Sequence, residues 1–427
     1  MERILMSRRE LVRYRVLTSV LEGQLALQDA ASSLGLSRRQ ARRLLVRVGE
    51  RGAEGVIHGN RGRSPGNRTP EALRKKVVAW AEGPYAGFND THLTEILAER
   101  EGVTIGRETL RSILRAAGLR AKRKRRPPRH RKRRERSPKK GLMVLWDGSP
   151  HPWFGPERPK ATLMAAVDDA DGELLCAFFA REETSVAYLQ LLESLATNHG
   201  LPASIYHDRH SALHRNDDSW SLEEQLAGKQ RPTQVGQALE ELGIESIPAL
   251  SPQAKGRVER LFGVLQDRLL AEMRLDGITT PEAANRYLED SWIQRYNHRF
   301  QRKPASAESA HRTSKDLDLK KILSFRYQAT VLNDNTVHLG GLVIDIPPGP
   351  RGRSYAKARV EARQHLDGSW SVYHHETLIA QAPTTPLHAP KRARRASQSP
   401  RHAKASSNEL LAYLPDSSTN RTLSLGT

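Results

Sequence analysis

Apolar residues recur at helical spacing near the start of the chain, at Leu11, Val12, Val16, Leu17, Val20 and Leu21, and predict a helix there. A second helix is predicted over 27–34, ending at Gly35, and a third over 38–48, with Ser37 as its N-cap. Helix, short Gly-containing turn, helix is the layout of a helix-turn-helix. In the third helix Ala41, Leu44, Leu45 and Val48 form the inward stripe. Residues 52–70 are rich in Gly, Arg, Asn and Pro and read as a linker. Thr69 and Pro70 then open another helix, and the runs from Asp90 to Gly118 read as a second helix-turn-helix-like module. After Lys140 the pattern changes. Three short apolar runs, the last two joined at Asp171-Gly172, predict a strand meander. A helix (185–199), the strand A-S-I-Y-H-D, a polar stretch (209–233), a helix (235–242), the strand I-E-S-I-P-A-L and a long helix from about Gln253 follow. That order describes a mixed sheet covered by helices. Six short strands between Arg326 and Ala382 predict a small β-barrel. The Ser-, Pro- and Arg-rich end predicts disorder. The domains expected are therefore 1–55, 69–120, a linker 121–140, a core 141–305, a β-domain 325–383 and a basic tail 384–427.

Charge gives this layout a partner. The 427 residues hold 69 Lys plus Arg against 48 Asp plus Glu, a formal net charge of +21. Such an excess, clustered, favours a polyanion, and nucleic acid is the commonest. Arg39, Arg43 and Arg47 share the outward face of the third helix, with Arg38 and Arg42 beside them. A helix so armed suits the major groove; the structural alternative is a basic surface helix of a protein-binding bundle. Residues 120–140, with Lys122, Arg123, Lys124, Arg125 and Arg126, are almost continuously basic. Such a run repels itself and suits phosphates, giving salt-dependent affinity with little sequence preference. Aromatics are only 5% of the chain, which argues against a single-strand stacking platform. The lone Cys176 excludes an internal disulfide and argues against a thiolate zinc site. No run approaches the roughly 20 apolar residues of a membrane span, and no signal-peptide core is evident at the start.

Phosphoryl transfer on DNA needs a nucleophile, a stabilised leaving oxygen and neutralisation of a dense anion. Two divalent cations roughly 3.5–4 Å apart serve all three. Mg²⁺ takes hard oxygen ligands, one or two carboxylates per ion, so carboxylates from separate elements must converge. Asp147 ends the first apolar strand and Asp208 ends another, although acidic residues at strand ends are often simple turn formers. Glu259 borders the buried stripe of the long helix, Val258, Leu261, Phe262, Leu265 and Leu269, although a lone helical Glu is usually solvated. Asp168 and Asp169 precede the D-G turn and read as turn and edge residues. His207 reads as a strand residue facing away from any metal. His210 and His214 sit where contact with DNA or water is open.

The stretch I-P-A-L-S-P-Q-A-K-G-R-V-E-R-L-F-G resembles the integrase and DDE-transposase signature, in which a strand leads through a Pro-containing turn into the helix with the catalytic Glu. Residues 292–305, W-I-Q-R-Y-N-H-R-F-Q-R-K-P-A, are similar to the Y-N-x-x-R segment closing many insertion-sequence cores. The whole order matches too. The chain resembles insertion-sequence DDE transposases with an integrase-type core, most like the ISNCY family, roughly over 10–380 and most strongly over 141–305. The gap from Asp208 to Glu259 is longer than in many relatives. Glu245 lies nearer the usual distance, but it falls inside a strand before the Pro turn, so the surplus is assigned to a loop inserted after Asp208.

The resemblance implies α-helical helix-turn-helix modules, an RNase H-like catalytic core, a small β-barrel and a basic tail. It implies that Asp147, Asp208 and Glu259 hold two Mg²⁺ (or Mn²⁺) ions, and that Lys255, one turn before Glu259, contacts DNA near the reacting end. The implied activity is DNA cleavage at element ends followed by strand transfer. Its partners are double-stranded DNA and at least one further copy of the chain, in a bacterial cytoplasm. Two other readings stand beside it: an RNase H-like nuclease or resolvase that cuts without joining, and a non-catalytic helix-turn-helix regulator.

Overall fold

The computed structural model describes residues 5–62, 66, 68–122, 134–215, 219–249 and 256–387. The basic run 123–133, residues 250–255 and those from 388 lie outside the described residues. Two compact units divide the chain, Met1–Ala79 and Trp80–Thr427.

The first unit holds α1 (Arg8–Leu21), α2 (Leu27–Ser33) and α3 (Arg38–Arg51). Gly35 turns the chain between α2 and α3 at φ +63°, a conformation that costs other residues a Cβ clash. Ser37 caps α3, and Gln40 reaches back to close a capping box. Leu44 and Val48 pack with Leu17 and Val56, with Leu45 partly buried against them. The arginines at 38, 39, 42, 43 and 47 are all exposed, on the face the spacing gives them.

Helix α4 (Glu71–Glu82) spans the boundary in sequence, and α5 (Asp90–Arg100) and α6 (Arg107–Ala116) follow. The core then runs β1 (Met143–His151), β2 (Ala161–Asp168), β3 (Leu174–Ala180), α7 (Ser185–Asn198), β4 (Ser204–His207), α8 (Leu222–Ala227), α9 (Gln234–Glu241), β5 (Glu245–Pro248) and α10 (Gly256–Leu275). This is the expected order, with α8 inside the polar stretch after Asp208. The sheet order is β3-β2-β1-β4-β5. β1, β2 and β3 pair antiparallel, while β1–β4 and β4–β5 are parallel. This mixed sheet fits the RNase H-like core that the resemblance implies.

Alternation along β1 assigns the two faces. Val144 and Trp146 pack with α7 and α9 residues, whereas Leu145 packs with Val258, Leu261 and Leu265 of α10. The sheet's β3 edge is sealed by side-chain amides. The chain after α10 forms α11 (Pro281–Tyr287) and passes through a π-turn into α12 (Ile293–Phe300). Asn297 accepts from the Leu174 amide at 2.8 Å and donates to its carbonyl at 3.0 Å. Asn285 does the same for Phe179, at 2.6 and 3.2 Å. Each amide stands in for a residue of a neighbouring strand and blunts an edge open to pairing. Asn297 therefore has a structural task.

Helix α5 is built onto α10. The buried His92 meets Glu272 at 3.0 Å, and Glu272 also binds Arg295 at 2.9 Å and Tyr287 at 3.2 Å. Burial opposes ionisation of Glu272, but His92, Arg295 and Tyr287 outweigh it and hold its pKa below the ordinary value. Arg268 pairs with Glu95, and Arg100 with Asp276 at 2.8 Å.

After α13 (Leu319–Ile322) come β6 (Ser324–Thr330), β7 (Thr336–Leu339), β8 (Leu342–Asp345), β9 (Arg359–His365), β10 (Trp370–His374) and β11 (Thr377–Ala382). The six strands were expected; the closed barrel was not formed among the described residues. They make a four-stranded sheet, β11-β10-β9-β6, and a separate β7–β8 hairpin. The physical reason lies at β6. Its Arg326 amide and carbonyl are bonded by the Gln234 side chain of α9, at 2.9 and 3.0 Å, so this edge is satisfied by the core rather than by another strand. Of the expected disordered tail, residues 384–387 are described and the rest lie outside the described residues.

Asn297→Ala should leave the buried Leu174 amide and carbonyl unpaired. The expected loss is about 1–3 kcal/mol, read as a lower urea midpoint with an unchanged slope.

Candidate active site

The parallel pairing of β1 and β4 builds the site. Its register sets Met143 against Ser204 and Leu145 against Tyr206. Continued two residues along each chain, it brings Asp147 level with Asp208. Asp147 was expected at a strand end. The structure continues β1 past it to His151, because β2 stays paired alongside, with Ala165 opposite Asp147. Asp208 does follow the end of β4.

A third carboxylate joins them. Ligand oxygens of Asp147, Glu183 and Asp208 all lie within 4.8 Å of one another, each residue half-buried. Glu183 stands just before Thr184, the N-cap of α7, and the sequence reading missed it. It reads there as an acidic residue favoured at a helix start. The available signal was the one that marked Asp208: an acidic residue just past the end of an apolar strand. Gly148 makes room for it, since a Cβ at 148 would stand 2.7 Å from the Glu183 Oε2 atom.

The surroundings orient these groups. The Gly148 amide donates to Asp147 Oδ1 at 3.0 Å, and the His210 amide donates to Asp208 Oδ1 at 2.8 Å. The Tyr188 hydroxyl donates to Glu183 at 2.5 Å. Burial, then the charge and hydrogen bond of Glu183, then Asp147 and Asp208, hold the Tyr188 phenol far above its ordinary pKa, so it remains a donor. The His210 ring lies 3.9 Å from Glu183. Buried His207 bonds Ser246 of β5 at 2.7 Å, tying the strands beneath Asp208.

Glu259 stands outside this carboxylate group, exposed on the first turn of α10. Lys255 and residues 123–126 lie outside the described residues. Lys122 pairs with Asp267 of α10 at 2.6 Å. Glu245 pairs in register with Ser204, at the opposite end of β4 from Asp208. Four residue steps along the strand separate the two levels, about 13 Å.

Asp168 and Asp169 are buried at the far end of β2. Asp168 accepts from the Gly141 and Ala170 amides, both at 2.8 Å. Asp169 accepts from Arg134 at 2.7 Å, from the Ser137 amide at 2.8 Å, and from Arg257 of α10. Burial opposes the Asp169 charge, but the Arg257 and Ser137 hydrogen bonds and the Arg134 charge outweigh it, and its pKa is lowered.

Carboxylates converging on a mixed sheet in a strongly basic chain suit a nucleic-acid-processing protein, and the group they form could hold a metal ion. No family model matches the chain. It is 40% identical to y4bF of Sinorhizobium fredii (strain NBRC 101917 / NGR234), named as a transposase, over 72% of this chain and 66% of that protein. It is 32% identical to the transposase for insertion sequence IS1202 of Streptococcus pneumoniae, over 68% of each. The chain belongs to the transposases of insertion sequences, and it spans about two thirds of the length of these relatives. Among solved structures it is loosely similar to a simian T-cell lymphotropic virus intasome bound to PP2A regulatory subunit B56 gamma. That likeness has 16% identity and a TM-score of 0.30, covering 75% of this chain and 100% of that one. The magnesium complex of the HTLV-2 integrase catalytic core domain in its dimeric form matches at 15% identity and a TM-score of 0.24, over 35% of this chain and 83% of that one.

Two outcomes follow from these placements. Gly148→Ala should drive the Glu183 side chain away with little loss of stability, because only the end of a flexible side chain must move. Stabilisation by added Mg²⁺ in a thermal melt should shrink. At Asp168, burial pushes the pKa up to about 6 from 3.8. The folded state then binds the extra proton between those values, so this group's contribution to stability falls as pH rises from about 4 to about 6. Asp168→Asn should flatten that part of a pH–stability curve.

Proposed function

We propose that the chain binds the ends of its element and catalyses metal-dependent DNA cleavage and strand transfer. The observation that carries this is the convergence of Asp147 and Asp208, from separate strands in parallel register, within ligand distance of each other and of Glu183. Three half-buried carboxylates so close repel one another when ionised. A hard divalent cation answers that repulsion, and the donor set is all oxygen, as Mg²⁺ or Mn²⁺ prefers. The cleft that Gly148 leaves open for Glu183 fits the same reading.

Asp147 and Asp208 would hold the ions, two in number, with Glu259 as the third carboxylate and Glu183 beside them. When bound, the cations would neutralise the phosphate and activate the attacking oxygen, a water in cleavage and a 3′-hydroxyl in strand transfer. The protein's part is positioning. Backbone amides of Gly148 and His210 fix Asp147 and Asp208, and Tyr188 fixes Glu183. Two observations support Glu259. It lies seven residues before Gln266, so the two share one line along α10, and Gln266 donates to Ser149 Oγ at 3.1 Å. Ser149 is two residues beyond Asp147 on the same strand face.

The exposed arginines of α3 would read the element end, with Lys122, the basic run 123–126 and Lys255 along phosphates. The partners are double-stranded DNA, both element ends and target, and at least a second copy of the chain to join two ends. The setting is the bacterial cytoplasm; among the described residues no helix is long and apolar enough to cross a membrane.

Asp208→Asn should abolish cleavage and strand transfer with Mg²⁺ while end binding in a gel-shift assay stays nearly intact. Retained cleavage would refute the metal site. Joining of a pre-cut 3′-hydroxyl end to target DNA by the unaltered protein separates a transposase from a nuclease that only cuts.

A further inference from the structure

We infer that Asp169 and Ser149, neither of them a metal ligand, are positioning residues that set the roll and axial level of α10 and so aim Glu259. The inference rests on Glu259 being the third carboxylate.

An amphipathic helix on a flat apolar face is held against it by burial, which is non-directional. Rolling and sliding are limited only by side-chain interdigitation, unless polar contacts pin the flanks. Beside the sheet, helix α10 has such contacts on both flanks, in addition to those that Asp267, Arg268, Glu272 and Asp276 make farther along it with other segments. On one, Arg257 donates to Asp169 and, at 2.6 Å, to the Arg134 carbonyl. On the other, Gln266 donates to Ser149. At 100° per residue these two positions flank the buried line of Val258, Leu261, Leu265 and Leu269 from opposite sides, and Glu259 falls on the Gln266 side.

The axial level is set as well. Asp169 lies at the start of β1, where its amide donates to the Met143 carbonyl at 3.0 Å, and Ser149 lies six residues farther along that strand. Helix α10 therefore runs in the same sense as β1. Seven helical residues back from Gln266 is about 10 Å, and two strand residues back from Ser149 is about 7 Å. Glu259 and Asp147 thus fall near one level. Asp169 also receives Arg134 and Ser137 from the end of the basic linker. One buried carboxylate consequently joins the segment suited to phosphates to the first turn of the helix bearing Glu259. Burying a charge costs heavily unless it is paired and hydrogen-bonded, and these partners are the compensation.

The test uses the full chain, with pre-cut 3′-hydroxyl ends at saturating concentration. Asp169→Asn keeps the shape and removes the charge, and Gln266→Leu removes one hydrogen bond. Each should slow single-turnover strand transfer about tenfold or more. Each should also raise the Mg²⁺ concentration for half-maximal rate by about tenfold, as loss of an outer support of a metal ligand does. End binding should stay within about twofold of the unaltered protein, a change of about 0.4 kcal/mol or less. A purely structural role would lower activity in step with the melting temperature and leave the Mg²⁺ midpoint unmoved, and that result overturns the inference. Should Asp169→Asn fail to fold, Gln266→Leu decides alone. Glu259→Gln is measured beside them. If it keeps full activity, the assignment of Glu259 falls, and this inference with it. If it is inactive while both variants keep the normal Mg²⁺ midpoint, only the positioning role falls.

Discussion

Everything at the candidate active site depends on the parallel hydrogen bonding of β1 to β4. Two aspartates 61 residues apart in sequence become neighbours because Leu145 pairs with Tyr206 and not with a residue one step away. A slip of one residue would turn every side chain of β4 to the opposite face. The register is held by what each face buries, Val144, Trp146 and Ile205 on the α7 side and Leu145 with α10 on the other. The core thus specifies the distance between two carboxylates that do not stabilise it.

The same sheet illustrates how a mixed core ends without aggregating. Asn285 and Asn297 close the β3 edge, and Gln234 does so for the C-terminal sheet. A side-chain amide can present one N–H and its C=O to a single strand residue, so it can terminate a ladder where a further strand would extend it. This explains why the C-terminal strands need not close into a barrel.

The acidic residues divide by environment into two populations. Asp168, Asp169 and Glu272 are buried and bonded to amides, arginines or a histidine, and they join segments distant in sequence. Asp147, Glu183 and Asp208 remain half-buried and converge on one another. Both groups accept from protein donors, but in the second the carboxylates also converge on one another closely enough that they could hold a cation. Helix α5 is attached through the first kind of contact, so the α5–α6 module is built on the same helix that carries Glu259.

The periodicity of apolar residues determined the elements. The helix-turn-helix with Ser37 and Gly35, the order of the core strands and helices, and the six C-terminal strands all follow from local patterns of burial and turn chemistry. An acidic residue just past a strand end marked Asp208, while the resemblance pointed to Glu259, which stands outside the carboxylate group. Glu183 was hidden, because its position before α7 has an ordinary local explanation. Asp147 was legible as a candidate but not its place within a strand that continues beyond it, since pairing with β2 decides where β1 stops. The open sheet in place of a barrel depended on Gln234, a residue 92 positions from its partner. Local sequence sets which residues can form a strand or helix. Which carboxylates meet, and which edges close, is decided by register and by side chains arriving from distant segments, and no periodicity in one segment records them.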